Sequence, residues 1–236
     1  MSILVQKIIN AGLFSHEDVH IQKNKIYTFL NPVSYITAFY YKSIYRDFDV
    51  IFADGFILVL FIRLLYGKRV VRRSFDMTSI APLLFDFAQK NKKTIYIIAS
   101  KQEEIEDAMI TIKEKYPAIE IIGYRNGYLS SEEEEMSEIA LISKLQPDIL
   151  IVGMGVLKQD FFLVNAKKNG FLGCGFTCGG FIHQISKHGI NYYPKWIDKH
   201  NLRFIYRIIK EKHTRKRYFK AAFTFPIIFI WDRFKT

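Results

Sequence analysis

The 236-residue chain is poor in cysteine, with two, Cys174 and Cys178. Their Cys-Gly-Phe-Thr-Cys spacing is not CxxC, and no second pair exists to complete a four-ligand zinc site. Two small buried thiols of a reduced protein are the expectation. Of the six histidines, at 16, 20, 183, 188, 200 and 213, His16 and His20 stand at HxxxH spacing and the other four form no such pair. No Ser-His-Asp set is legible, which disfavours acyl transfer. No GxGxxG follows the first expected strand, where the sequence runs Phe29-Leu30-Asn31-Pro32. That counts against a dinucleotide-dependent dehydrogenase or a methyltransferase of doubly wound type. No stretch reaches the ~18 apolar residues of a membrane-spanning helix. The start, Met1 to Lys7, lacks a basic region followed by a long apolar core. No signal peptide and a cytoplasmic location are therefore expected.

What is present is apolar bulk and unevenly placed charge. Half of the residues are hydrophobic and 16% are aromatic. Residues 195–236 hold 12 Lys and Arg against 3 acids, a net +9. Residues 1–194 hold 22 against 20, a net +2. The sequence thus divides into a nearly neutral body, 1–194, and a basic, aromatic-rich appendage, 195–236.

Within the body, short apolar runs alternate with helix-length segments. Strands are expected at Lys25–Leu30, Val50–Ala53, Thr94–Ala99, Ile119–Gly123, Asp148–Val152 and Phe171–Cys174. Helices are expected at Val33–Tyr45, Phe56–Tyr66, Met77–Gln89, Lys101–Tyr116, from Ser131 to about Leu145, and at Gln159–Lys168. Ile3 to Ile9 fits helix or strand. The alternation predicts right-handed crossovers and a mostly parallel, Rossmann-like α/β sheet covered on both faces. In the appendage, Lys195–Arg217 is helix-prone and basic. Tyr218–Trp231 is an aromatic and aliphatic run interrupted by Pro226. It is too short to cross a bilayer but long enough to lie on one. Packing on the body or against a second copy is the alternative.

Asp54 and Gly55 sit at the carboxyl end of the Val50–Ala53 strand, where open α/β sheets place ligands. Gly55 permits a tight exit and close approach. Asp54 is a carboxylate suited to general-base work, though on this stretch alone capping the next helix is the favoured reading. Gly153-Met154-Gly155 follows a strand and precedes a helix, so its amides suit a diphosphate, or it is simply a tight turn. Gln159 follows in the first helical turn. Arg72 and Arg73, in a basic loop that closes on Asp76, offer forked contacts to phosphate oxygens or plain surface charge.

Taken in order, these pieces resemble the WecG/TagA/CpsF glycosyltransferases, glycosyltransferase family 26. The matching residues begin with Asn31, Ala53-Asp54-Gly55 and Arg72-Arg73-Ser74-Phe75-Asp76. They continue with Gly123 to Tyr128, Val152 to Asp160, Tyr193-Pro194-Lys195-Trp196, Leu202 to Arg207, and Arg217-Tyr218. The resemblance implies inverting, metal-independent transfer from a UDP-sugar, such as UDP-N-acetylmannosamine or a UDP-hexose. The implied acceptor is a polyprenyl diphosphate-linked sugar at the inner membrane face, in surface or wall polysaccharide synthesis. It implies Asp54 as base, with Asn31, Gly55, Arg72 or Arg73, Asp76, Gly153, Gly155 and Gln159 around the substrates. It also implies that the appendage brings Arg207 and Arg217 over the site and docks on an anionic membrane. No cofactor is expected, and self-association fits the apolar tail. The sequence departs from the family at Phe29, where Thr is common, with Thr28 one step away. Asp160 stands where Glu is common, and Leu157 where Pro is common. The other class of reading is a non-catalytic nucleotide- or nucleic-acid-binding protein gripping its partner with the basic tail. Nucleic acid is disfavoured because the basic residues adjoin a long apolar run.

Overall fold

The computed structural model describes residues 1–11, 22–190, 192, 197, 203–210 and 215–234. The Tyr193 to Trp196 motif, Leu202, and residues 211–214 fall outside these residues. The strands are β1 (Lys25–Leu30), β2 (Val50–Ala53), β3 (Thr94–Ala99), β4 (Glu120–Arg125), β5 (Ile149–Gly153) and β6 (Cys174–Thr177). They form one all-parallel sheet in the order β2-β1-β6-β5-β3-β4. The central strands read as unbroken apolar runs because both faces are covered: β5 is buried at every residue, and β3 at all but its first.

Two layers of helices cover the sheet. One core gathers α1 (Ile3–Ala11), α2 (Pro32–Tyr40), α3 (Lys42–Arg46), α4 (Phe56–Tyr66), α7 (Glu132–Leu145) and α8 (Lys158–Lys168). The other gathers α5 (Ile80–Lys90), α6 (Gln102–Lys115) and α9 (Phe181–His188). Further along lie α10 (Arg203–Lys210) and α11 (Arg215–Phe234). The chain leaves β1 into α2 on one face and leaves the neighbouring β6 into α9 on the other. That divergence is the topological switch point of a doubly wound sheet, and it opens a crevice beyond the carboxyl ends of the strands.

Three sequence expectations need correction. The last strand lies three residues further on, at Cys174–Thr177. The apolar Phe171 is buried in the first core ahead of that strand. At Gly173 a β-carbon would lie 2.3 Å from the Pro147 carbonyl oxygen, so the chain squeezes past β5 before pairing. The helix expected over Val33–Tyr45 is two helices, broken at Tyr41, whose φ of −116° and ψ of 37° leave the helical region. Finally, Pro226 does not interrupt its segment, because α11 runs through it from Arg215 to Phe234. A mid-helix proline costs about 3 kcal/mol, so tertiary packing has to hold the helix together.

That packing is dense. Phe225 and Phe229 of α11 close on Tyr35 at 5.7 and 5.0 Å and on Phe61 at 5.1 and 5.8 Å between ring centroids. Asp232 is fully buried and accepts hydrogen bonds from the Tyr35 hydroxyl at 2.5 Å and from the Lys42 ammonium. Burial, then the adjacent Asp232 carboxylate, pushes the Tyr35 phenol far above its ordinary range. Ala221, Phe225, Ile228, Phe229 and Asp232 thus form the inward face. Phe219, Phe223, Ile227, Ile230, Trp231 and Phe234 recur at helical spacing on the opposite face and are exposed. A helix with two opposed apolar faces has one covered by this fold and one uncovered. Among the described residues, no helix is long and apolar enough to cross a membrane.

Candidate active site

A cleft of about 820 Å³ occupies the switch-point crevice, between the carboxyl ends of the strands and helices α10 and α11. Its floor is set by strand register. Leu30 pairs with Ala53, so Asn31 and Asp54, the next residues of β1 and β2, emerge side by side. The Asp54 amide donates to the Leu30 carbonyl at 2.8 Å, which extends the ladder to the lip of the cleft. Gly55 then turns with φ of +96°, a conformation that favours glycine. It passes close to α2, since a β-carbon there would lie 3.8 Å from Pro32 Cδ and 3.9 Å from Asn31 Cβ. Gly55, not Asp54, holds the N-cap position of α4.

Asn31 caps α2. Its Oδ1 accepts from the amides of Val33 and Ser34 at 3.0 and 3.1 Å, while Ser34 Oγ accepts from the Asn31 amide at 2.9 Å. This reciprocal box, with Pro32 at the first helical position, explains a rigid start just after β1.

The basic loop is pinned to the end of β2 by the Arg73 amide, which donates to the Ala53 carbonyl at 2.9 Å. Neighbouring side chains then take opposite directions. Arg72 lines the cleft. Arg73 is buried beneath it, with its guanidinium carbon 5.4 Å from the Phe52 ring centroid. Asp76 also lines the cleft and organises the entry to α5. It accepts from Ser74 Oγ at 2.6 Å and from the Thr78 amide and hydroxyl at 2.8 and 2.6 Å.

Another part of the cleft, around Gln159 and Thr177, is built on a buried polar knot. Asp160 is 2% exposed and accepts from Thr28 Oγ1 at 2.9 Å, Tyr45 OH at 3.0 Å and the Leu157 amide at 2.9 Å. Thr28 and Thr177 hydroxyls meet at 2.8 Å. Burial raises the Asp160 carboxyl above its ordinary value, against the pull of these three donors. The knot ties β1, β6 and α3 to the start of α8, where Leu157 is held at φ of +76°. Strain of this kind costs on the order of 1–3 kcal/mol and persists where surroundings over-determine it. Beside it, buried Gln159 faces the cleft and its Oε1 accepts from the Gly179 amide at 3.1 Å. At the family's usual Thr position, Phe29 lines the cleft, while Thr28 points into the knot.

Asn31, Asp54, Gly55, Arg72, Asp76, Gln159 and Arg207 therefore meet around one cleft. Arg73, Gly153, Gly155 and Arg217 do not line it. Gly153 serves packing: a β-carbon there would meet Cys178 Sγ at 2.6 Å and the Gly179 carbonyl at 3.0 Å. Besides Gly55, the glycines that line the cleft are Gly179 and Gly180, between β6 and α9 at a helix N-terminus. Their signal was a glycine pair between a strand and an amphipathic helix, three residues off the expected strand. Cys178 also lines the cleft, but burial pushes its thiol far upward, so it is no thiolate nucleophile. Arg215 and Lys216 join Arg207 on the roof. Arg215 donates to the Ile208 and Ile209 carbonyls at 2.8 and 3.2 Å, which fixes α10 against α11. Among the described residues no group of three or more His, Cys, Asp or Glu is placed to hold a metal ion.

Fold and cleft define a doubly wound α/β protein whose switch-point site sets a carboxylate floor under a cationic roof. Residues 11–236 match the family described as the glycosyl transferase WecG/TagA/CpsF family. One relative, the UDP-Gal:alpha-D-GlcNAc-diphosphoundecaprenol beta-1,4-galactosyltransferase of Shigella boydii, is 38% identical over 205 residues, 87% of this chain and 85% of its own. Another, the N-acetylglucosaminyldiphosphoundecaprenol N-acetyl-beta-D-mannosaminyltransferase of Bacillus subtilis (strain 168), is 27% identical over 217 residues, 89% of this chain and 83% of its own. The chain belongs to the WecG/TagA/CpsF family and is a glycosyltransferase.

Proposed function

We propose that the chain transfers a hexose from a UDP-sugar to a sugar carried on a polyprenyl diphosphate, inverting the anomeric centre with Asp54 as base. The observation that carries this reading is the meeting of Asp54, Asn31, Arg72, Asp76, Gln159 and Arg207 around one cleft. The names of both relatives carry an N-acetylglucosaminyl-diphosphoundecaprenol and a β-configured product. We take that acceptor for this chain, and UDP-galactose as the first donor to try, because the galactosyltransferase is the more similar of the two.

The acceptor hydroxyl gives its proton to the Asp54 carboxylate as its oxygen attacks the anomeric carbon. The bond from that carbon to the β-phosphate oxygen breaks, and UDP leaves with the electron pair. One in-line displacement turns an α-linked donor into a β product and needs a single base. The departing diphosphate gains charge, which Arg72, Arg207 and the Gly180 amide at the start of α9 meet. Asn31 and Gln159, both fixed by hydrogen bonds to backbone amides, orient the sugars.

The outward face of α11, with Arg217 and Lys220 beside it, lies on the inner membrane surface where such an acceptor resides. Vesicle sedimentation checks this: binding should rise with anionic lipid and fall with salt, and weaken in Phe223→Ser. Binding indifferent to lipid charge and salt would remove the electrostatic part. The reaction itself is tested by UDP release from a panel of UDP-sugars, with and without the lipid-linked acceptor. Release from one donor, dependent on acceptor, is expected. Release from none, with folded protein, would reject the donor and acceptor assignment.

A further inference from the structure

The cleft is chemically two-sided. The strand ends and the 72–76 loop supply its polar half. The other half is apolar and comes from two helices: Phe56 and Ile57 of α4 and Phe219 and Ala222 of α11 line it, and Phe61 and Phe225, 5.1 Å apart between ring centroids, join the two helices within it. A sugar nucleotide has no use for such a wall. Arg207, Arg215 and Lys216 line the same cleft.

The spacing along α11 orders these features. Arg215, Tyr218, Ala222 and Phe225 recur at three and four residues, so one stripe of the helix runs from cation to hydrocarbon along the cleft. From Tyr218 to Pro226 the stripe covers roughly 12 Å of helix, the length of a few isoprene units at most. Phe219 belongs both to the cleft wall and to the exposed outer face. The groove therefore opens where the uncovered apolar face begins.

We infer that this α4–α11 groove holds the isoprene units nearest the diphosphate of the polyprenyl carrier, with Lys216 and Arg215 meeting that diphosphate at the groove's polar end. The inference rests on the acceptor class proposed above. It adds that the enzyme reads the carrier's hydrocarbon directly, in a groove within the site, separately from the membrane contact made by the outer face. A sugar on that diphosphate then lies in the polar half of the same cleft, where Asp54 stands. Burying even part of one isoprene unit strengthens binding on the order of tenfold.

The test is calorimetric titration of the full chain with two soluble probes, methyl diphosphate and farnesyl diphosphate, the latter below its micelle concentration. Farnesyl diphosphate should bind at least about tenfold tighter. Ala222→Trp, which fills the groove at an exposed position, should erase that advantage while keeping methyl diphosphate affinity. Phe56→Ser should shrink it from the opposite wall. Phe223→Ser, on the outer face and off the cleft, should leave it intact, and Lys216→Ala should weaken both probes. Equal affinity for the two probes overturns the inference, as does an advantage that survives Ala222→Trp or is lost in Phe223→Ser. A protein that prefers farnesyl diphosphate in this pattern but releases UDP from no sugar nucleotide would keep the groove and retire the proposed reaction.

Discussion

The floor and the roof of the cleft are held by different physics. On the floor, Asn31, Asp54, Thr177 and Gln159 leave strand ends or a helix start whose positions are set by ladder register and buried hydrogen bonds. On the roof, α11 is held by ring packing and one buried carboxylate, Asp232, and α10 is held to it through Arg215. Directional bonds between adjacent strands fix geometry to fractions of an ångström. Apolar packing fixes orientation but tolerates adjustment. A base belongs on the first kind of support, and a surface that must admit a lipid-linked substrate belongs on the second.

The largest expected break is on the roof. Asp232→Ala leaves the Tyr35 hydroxyl and the Lys42 ammonium facing each other without their acceptor, and should cost on the order of 3–5 kcal/mol. Thermal melting reads the loss, and turnover on a lipid acceptor should fall further than UDP affinity. Equal losses in both would mean that floor and roof are one unit. Next comes Asp160→Ala on the floor, which strands the Tyr45 and Leu157 donors, leaves Thr28 only its Thr177 partner, and should cost roughly 2–3 kcal/mol. Here UDP affinity should fall with stability, because Gln159 loses its support. Gly55→Ala should cost about 1–2 kcal/mol from its φ of +96° alone, since the nearest atoms leave room for the methyl group.

The smallest effect lies at the other end of the strands, away from the cleft. Burial alone would raise the Asp49 carboxyl, but the Lys167 hydrogen bond, the Ile26 amide and nearby lysine charges hold it below its ordinary value. A carboxyl lowered on folding stabilises above its unfolded pKa, and that stability is lost as pH falls through the folded value. Asp49→Asn should therefore melt lower at neutral pH by about 1 kcal/mol. The gap should close as pH drops below the ordinary carboxylate range, with no change in turnover at neutral pH.

The same contrast decides what could be read from the sequence. Strands β1, β2 and β3 and helix α4 have the expected boundaries, because short apolar runs flanked by turn residues are local signals. Asn31 beside Asp54 follows once both strands are parallel neighbours. Whether Arg72 or Arg73 faces the cleft was not legible, since it depends on the Arg73 amide bonding to Ala53. Gly153 and Gly155 drew attention as a GxG turn, while Gly179 and Gly180, which line the cleft, were hidden behind a strand placed three residues early. The roof was least legible. Pro226 reads as an interruption until Phe225 and Phe229 are seen packed on Tyr35 and Phe61. The cations on the cleft include Arg215 and Lys216 and not Arg217, a matter of helical phase.

The central claim is that Asp54 takes the proton from the acceptor. The most direct measurement pairs single-turnover transfer with UDP affinity in Asp54→Asn, using the lipid-linked acceptor and the donor that the wild type accepts. A positioned base contributes about 10²–10⁴-fold, so transfer should slow by at least two orders of magnitude while UDP affinity and melting temperature stay close to wild type. Transfer within a few-fold of wild type would contradict the account and move the base elsewhere in the cleft.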